Sequence, residues 1–175
     1  ANIKMKFTQE GFNFDVGEIK DADMLSGLIE KMFSEFSPDE YHLKETHEYL
    51  MCLPEKFYDN FNEWIRCGWA LHNTDFRLFL SWMFFSSRSD KFNFSDIPGY
   101  YDQWLEMKDE GFTNWSIMYW AREANPEVYK KIREDTVDYY VNLCVDGGTE
   151  WDIANVIYQY YKDEYRCASV KHKPW

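Results

Sequence analysis

The sequence is poor in residues that interrupt helices and strands, glycine and proline, and in cysteine, which can cross-link a chain. Its 175 residues include 8 glycines, 5 prolines and 4 cysteines. The cysteines, Cys52, Cys67, Cys144 and Cys167, form no CxxC pair, and the histidines complete no zinc-ligand spacing, so no metal site is predicted. Free thiols fit a reducing, intracellular compartment.

Long apolar runs and a leader-like start are also missing. No stretch approaches the roughly 18 apolar residues of a membrane-spanning helix, and no charged-then-apolar segment opens the chain. We therefore expect a soluble protein with no membrane partner. The chain begins with Ala1 and ends in KHKPW, which is typical of a fragment, so the functional question concerns one part of a larger protein.

Net positive charge is lacking as well. The chain carries 19 basic and 31 acidic residues, a net charge of -12. Residues 37–127 account for -8 of this, with 8 basic and 16 acidic side chains, and residues 128–175 for -1, with 7 and 8. Because phosphate binding depends on local basic surface, DNA binding is disfavoured in the middle of the chain. It is left open for the tail, where Arg166, Lys171 and Lys173 gather.

The motifs of nucleotide hydrolysis and nucleophilic catalysis are absent. No GxxxxGK[ST] loop occurs. Ser87, Ser89 and Lys91 lie close together, but no nucleophile elbow or triad motif aims a base at them, so acyl transfer is not predicted. We expect this segment to be non-catalytic and to hold no cofactor or metal of its own.

Aromatic side chains are abundant instead. Phe, Tyr and Trp make up 20% of the residues, and rings that recur at helical spacing are typical of a core. The sequence therefore predicts a mainly α fold, a compact helical bundle. A β-hairpin or extended arm over residues 3–16 and a short strand at RCASV, residues 166–170, are the predicted exceptions.

Start and stop signals divide the helical part. Segment 75–89 is apolar nearly all round, which is typical of a helix at the centre of a bundle. Gly147 and Gly148 end the long helix that Pro126 begins. The predicted helices cover residues 21–33, 37–53, 60–72, 75–89, about 101–110, 113–124, 126–146 and 149–165.

One long segment carries a family resemblance. Its parts are LMCLP (50–54), DNFNEWIRCGWAL (59–71), FLSWMFFSSRSDKF (79–92), YYDQWLEMK (100–108) and TNWSIMYWAREANPEVY (113–129). This order resembles the second type of primase C-terminal domain, a small helical domain that follows archaeo-eukaryotic-type primase cores in giant viruses, phages and mobile elements. The matching positions are Leu53, Pro54, Trp64, Gly68, Leu71, Trp82, Ser86, Ser89, Lys91, Phe92, Trp104, Ile117, Ala121, Asn125 and Pro126.

A second resemblance covers the end of the chain. Residues 128–175 are similar to the opening of the poxvirus-type N-terminal domain of primase-helicases, where a helix like IANVIYQYYKDEYRC leads to a strand ending in a lysine-tryptophan such as Lys173 to Trp175. A superfamily 3 helicase domain follows in that family. The resemblances imply three parts: a linker or arm from the primase core (1–36), the primase C-terminal helical domain (37–126) and the truncated start of the pre-helicase domain (127–175).

The function that the resemblance implies is a non-catalytic connector in the primase-helicase of a large DNA virus, linking primer synthesis to the superfamily 3 helicase. The parent chain would be a DNA primase and ATP-dependent helicase, and ATP and Mg would belong to it rather than to this segment. The partners would be the adjacent primase and helicase domains, sister subunits of a helicase ring and, weakly or indirectly, DNA. The place of action would be the viral replication site in the host cell.

Two alternatives stay open. In the first, the segment binds a single-stranded DNA template: Arg88 and Lys91, or Arg166, Lys171 and Lys173, would hold phosphates while an aromatic ring stacks on a base. An ordinary solvated surface is the simpler interpretation of Arg88 and Lys91, so we expect any DNA binding to reside in the tail. In the second, the chain is an unrelated acidic helical protein-interaction domain.

Overall fold

The computed structural model describes residues 4–6, 13–108, 111–147 and 149–163. Within these ranges the chain is mainly helical, as the sequence predicts. Two three-residue strands, β1 (Lys4–Lys6) and β2 (Asn13–Asp15), pair antiparallel. The turn of the predicted arm, residues 7–12, and the predicted C-terminal strand lie outside the described residues.

The helices follow the predicted order closely. Short 3-10 turns also occur at Val16–Glu18, Pro38–Glu40, Phe76–Leu78 and Phe94–Asp96. None of the helices in the described ranges is long and apolar enough to cross a membrane. In chain order they are α1 (Ala22–Ser34), α2 (Tyr41–Met51), α3 (Lys56–Asp59), α4 (Phe61–His72), α5 (Phe79–Ser86), α6 (Ile97–Leu105), α7 (Asn114–Ala124), α8 (Pro126–Val145) and α9 (Glu150–Tyr161).

Polar residues begin the helices where the sequence predicts. The side chain of Asn60 accepts a hydrogen bond from the backbone N–H of Asn62 at the start of α4. Thr149 and Asp152 form a capping box at the start of α9, so each side chain satisfies a backbone donor that the first turn leaves unpaired. After α8, Gly147 adopts a φ of +122°, a backbone conformation that glycine tolerates better than other residues.

Three helices differ most from the prediction. Helix α5 covers Phe79–Ser86 rather than 75–89, because Phe76–Leu78 forms a 3-10 turn and turns follow Ser86. Helix α6 begins at Ile97 with Pro98 in its first turn and ends at Leu105, several residues before the predicted stop. The sequence signal for the start of α6 is Pro98, because the fixed φ of proline suits the first turn of a helix. Helix α3 was not predicted, because its four residues are too few to show a helical period.

The chain divides into two compact units, residues 1–130 and 131–175. In the first unit, α5 packs against α1, α2, α4 and α6. It is the central helix that the apolar segment predicts, and its buried side chains are Phe79, Leu80, Ser81, Trp82, Met83, Phe85 and Ser86.

In the second unit, a buried arginine joins α8 to α9. The Arg133 guanidinium donates to Gln159 Oε1 at 3.1 Å, to the Gln159 carbonyl and to Asp163 Oδ2 at 3.2 Å. Its charge is therefore both paired and hydrogen-bonded, as burial requires. The predicted domain boundaries at residues 36 and 126 stay predictions, because compactness alone does not assign a segment to a family domain.

Candidate functional site

The tryptophans that carry the family resemblance lie side by side in the first unit. Trp64 of α4 stacks on Trp82 of α5 with ring centroids 4.6 Å apart, and Trp104 of α6 lies 5.7 Å from Trp82. Trp82 and Trp104 are fully buried, as expected of core residues, whereas Trp64 is half-buried. The three rings join α4, α5 and α6.

Gly68 allows α4 to approach the Trp82 ring. A Cβ at this position would lie 2.8 Å from Cε2 and Cζ2 of Trp82 and 3.0 Å from Cε of Met107. Gly68 stands one helical turn after Trp64, so the two residues face the same side of α4. The spacing of Trp64 and Gly68 in the sequence therefore corresponds to one packed surface.

Ser86 completes this packing. The indole N–H of Trp64 donates to Ser86 Oγ at 2.7 Å, and the Ser86 hydroxyl donates to the carbonyl of Trp82 at 2.6 Å. The half-buried indole thereby keeps a partner for its polar group, as such rings usually require. The role of Ser86 in these contacts is structural.

Ser89 and Lys91 converge on Asp59. The Ser89 hydroxyl donates to Asp59 Oδ1, while Lys91 Nζ lies 3.0 Å from the Asp59 carbonyl oxygen and 3.4 Å from Oδ2. The hydrogen bond from Ser89 and the charge of Lys91 hold the pKa of Asp59 below its ordinary value. A carboxyl group with a lowered pKa is a weak base, so this cluster is poorly suited to activate the Ser89 hydroxyl.

Arg88 makes contacts that the sequence did not reveal. Its guanidinium donates to the carbonyl oxygen of Met51 at 2.6 Å and lies 5.2 Å from the centroid of the Tyr58 ring. These contacts tie the segment after α5 to residues before α4. A DNA contact by Arg88 or Lys91 stays a prediction. The other predicted contacts, Arg166, Lys171 and Lys173, lie outside the described residues.

A groove, here called the α4–α6 groove, opens between α4 and α6. It consists of two adjoining pockets of about 290 and 610 Å³ that share Phe61 and Gln103. The first pocket is also lined by Tyr58, Asp59, Trp64, Ser86, Ser89, Lys91, Phe92 and Tyr100. The second is also lined by Asn62, Ile65, Trp69, Glu106, Met107 and Lys108.

The wall of the groove on α4 is an apolar stripe. Phe61, Ile65 and Trp69 recur every four residues and lie on one face of the helix. From Phe61 to Trp69 this wall is about 12 Å long, at 1.5 Å per residue. Phe61 is 64% exposed and Trp69 is 37% exposed. Phe61, the first residue of α4, therefore faces the groove rather than the core.

Two of the cysteine thiols lie in surroundings that raise their pKa. Burial raises the pKa of Cys52 to about 11, and it also raises the pKa of the fully buried Cys67. Both thiols are therefore protonated and weakly nucleophilic near neutral pH. Among the residues that the structure describes, no group of three or more His, Cys, Asp or Glu side chains could hold a metal ion.

Comparison with known proteins shows which family the segment with these features resembles. Residues 46–121 match the family model "Primase C terminal 2 (PriCT-2)". Over 117 residues the chain is 26% identical to a protein of Acanthamoeba polyphaga mimivirus named "Putative helicase L207/L206". That match covers 66% of this chain and 12% of the mimivirus protein. The resemblance of this segment to the second type of primase C-terminal domain, predicted from the aromatic motifs, is confirmed by the match of residues 46–121 to that family model.

Proposed function

We propose that this chain is a non-catalytic connector in a viral DNA-replication primase-helicase, where it holds the primer-synthesising core next to the superfamily 3 helicase. The family match of residues 46–121 and the helicase name of the mimivirus relative support the replication context. The observation that carries the proposal is the use of the family residues for packing: Trp64, Gly68 and Trp82 join helices rather than form a reactive cluster.

A connector that fixes the position of two enzymes needs a rigid body rather than a flexible linker. The α4–α5–α6 core meets this need, because close-packed interiors transmit displacement instead of absorbing it. The partners would be the primase and helicase domains of the same chain and sister subunits of the helicase ring. ATP and Mg would bind in those domains.

A turnover assay tests the non-catalytic part of the proposal. The purified chain is incubated with ATP, nucleotides, Mg and a single-stranded template, beside the full-length protein that contains the segment. We expect neither ATP hydrolysis nor primer synthesis from the chain alone. Mg-dependent turnover that stays with the chain through successive purification steps would contradict the proposal.

Single-stranded template binding is the second candidate function. The observation that favours it is the α4–α6 groove, where the exposed ring of Phe61 offers a stacking surface for a base. The sequence places the electrostatic part of such binding in the tail, at Arg166, Lys171 and Lys173. The third possibility, an unrelated acidic interaction domain, is disfavoured by the family match.

A low-salt binding assay with a labelled single strand tests the second candidate. Charge reversal of the three tail residues should remove most of the electrostatic part of the binding, since phosphate contacts dominate nucleic-acid affinity. Charge reversal of Arg88 should do little, because its guanidinium is held by the Met51 carbonyl. A larger loss from Arg88 than from the tail would move the phosphate contact to the segment after α5.

A further inference from the structure

We propose that the α4–α6 groove binds a nucleobase of single-stranded DNA, with Phe61 as the stacking ring and Gln103 as the group that hydrogen-bonds to the edge of the base. The proposal rests on the second candidate function and gives that function a site. Neither residue belongs to the positions that carry the family resemblance.

Phe61 supplies a surface that the fold leaves uncovered. Its ring lies 5.8 Å from the ring of Trp64, tilted by 44°, yet 64% of the residue stays exposed. Burial of a large apolar side chain is favourable, so an exposed ring beside two pockets gains free energy from a ligand that covers it. Every nucleobase has a π face that can stack on such a ring.

Gln103 supplies a polar group in the middle of the groove. It lines both pockets and is half-buried, and its carboxamide has no hydrogen-bond partner among residues 13–108, 111–147 and 149–163. A carboxamide offers a donor and an acceptor together. Base edges carry donors and acceptors as well, so the edge of a base stacked on Phe61 can hydrogen-bond to this carboxamide in place of water.

Each pocket of the groove contains a lysine that can pair with a phosphate. Lys91 lines the first pocket and Lys108 the second. The side chain of Lys91 is 72% exposed and pairs with Asp59, and because exposed pairs of this kind contribute little stability, a phosphate can compete for the ammonium. Glu106 and Asp59 oppose this attraction, so binding should be weak and salt-sensitive.

The combination of groups selects the ligand class. Phe61 and Gln103 line both pockets, and each pocket is also lined by one lysine, Lys91 in the first and Lys108 in the second. Single-stranded DNA presents flat bases together with anionic phosphates, whereas an apolar peptide offers no anion for the ammonium groups of Lys91 and Lys108. Stacking does not require net positive charge, so the groove can contact DNA although residues 37–127 carry -8.

Anisotropy of a labelled single-stranded oligonucleotide at low salt tests the groove. Phe61→Ala should weaken binding by roughly five-fold to a hundred-fold, the range expected for loss of one stacked base. Tyr119→Ala is the matched control, because that ring is 52% exposed on α7 and does not line the groove. We expect this control to change binding less than two-fold. Circular dichroism confirms that both variants keep their helices.

Polar and charged variants test the remaining contacts. Gln103→Leu, which keeps the approximate size of the side chain, should weaken binding, and Glu106→Gln should strengthen it by removing a charge that repels phosphate. Lys91→Glu should weaken binding more than Lys131→Glu. The two lysines are matched, since Lys131 is 68% exposed and also pairs with an aspartate.

The outcomes separate the groove from DNA binding in general. If Phe61→Ala abolished the remaining DNA binding of a chain in which the charges of Arg166, Lys171 and Lys173 are also reversed, the result would support the groove as a binding site. Equal binding by the unaltered chain and by Phe61→Ala would overturn the groove and leave DNA binding to the tail. No binding by the unaltered chain at low salt would refute both the groove and the second candidate function. If Phe61→Ala bound DNA as well as the unaltered chain but no longer bound a primase or helicase domain, the groove would be a protein-binding site and the proposal would be overturned.

Discussion

The close approach of α4 to Trp82 can be tested by adding one methyl group at Gly68. In Gly68→Ala, the new Cβ would lie 2.8 Å from two ring carbons of Trp82, which is too close for van der Waals contact. The Trp82 ring is fully buried and packs on Trp64, Phe79 and Trp104, so it cannot move aside without disturbing the core. The flexible end of Met107 can give way more readily.

The size of the effect follows from two opposing terms. Insertion of a methyl group into a filled core costs about 1 to 3 kcal/mol, whereas replacement of glycine by alanine inside a helix returns up to about 1 kcal/mol. We expect Gly68→Ala to lower the free energy of unfolding by about 1 to 2 kcal/mol, which lowers the melting temperature by about 2 to 8 °C for a chain of this size.

Gly27 provides a matched control for the backbone term. It lies inside α1, is exposed, and a Cβ there would meet nothing within 4 Å. Gly27→Ala should therefore stabilise the chain by about 0.5 to 1 kcal/mol. Urea unfolding followed by tryptophan fluorescence measures both variants. If Gly68→Ala stabilised the chain as much as Gly27→Ala does, the α4–α5 contact described above would be refuted.

Three further predictions concern stability and domain organisation. Trp82→Ala should cost about 3 to 5 kcal/mol by urea unfolding, and an unchanged unfolding midpoint would place the ring on the surface. Burial, aided by the charge of Lys44, lowers the pKa of His47 to about 4. Between about pH 6.5 and 4, His47 therefore binds a proton in the unfolded chain but not in the folded chain. This difference in pKa contributes up to about 3 kcal/mol to the free energy of unfolding above pH 6.5, and the contribution is lost as the pH falls to about 4. His47→Gln should reduce the difference between urea midpoints at pH 7 and pH 5, and an identical difference in the variant would contradict the assignment. Limited proteolysis should cut near Asn125 or after Tyr165 before it cuts within residues 60–105, and uniform resistance would indicate one fused domain.

Local signals account for most of the fold that could be predicted. Asn60 and Thr149 mark helix starts because a side-chain oxygen can satisfy the first unpaired backbone donors, and Pro126 marks another because its ring fixes φ. The central position of α5 follows from its apolar character all round. Helix α3 escaped prediction because four residues show no period.

The candidate site was harder to predict because it depends on contacts between distant residues. The sequence predicts Trp64, Trp82 and Trp104 as core residues, since all three lie in apolar helical patterns, and of these Trp64 is only half-buried. It could not show that Phe61 stays exposed or that Gln103 faces the same groove, because both facts depend on how α4 and α6 are placed. The hydrogen bond from Arg88 to the carbonyl of Met51, 37 residues away, leaves no trace in either local pattern.

Replacement of residues 46–121 by a Gly/Ser-rich linker in the full-length protein, which the proposal takes to be a primase-helicase, tests the proposed connector function most directly. The measurement is primer synthesis on a forked duplex, where priming depends on unwinding. Primer synthesis on a free single strand and ATP hydrolysis are measured as controls for the two separate activities. The connector function predicts that the two separate activities persist while coupled priming on the fork is lost, because a flexible linker no longer fixes the primase core next to the helicase. Coupled priming at the level of the unaltered protein would contradict it.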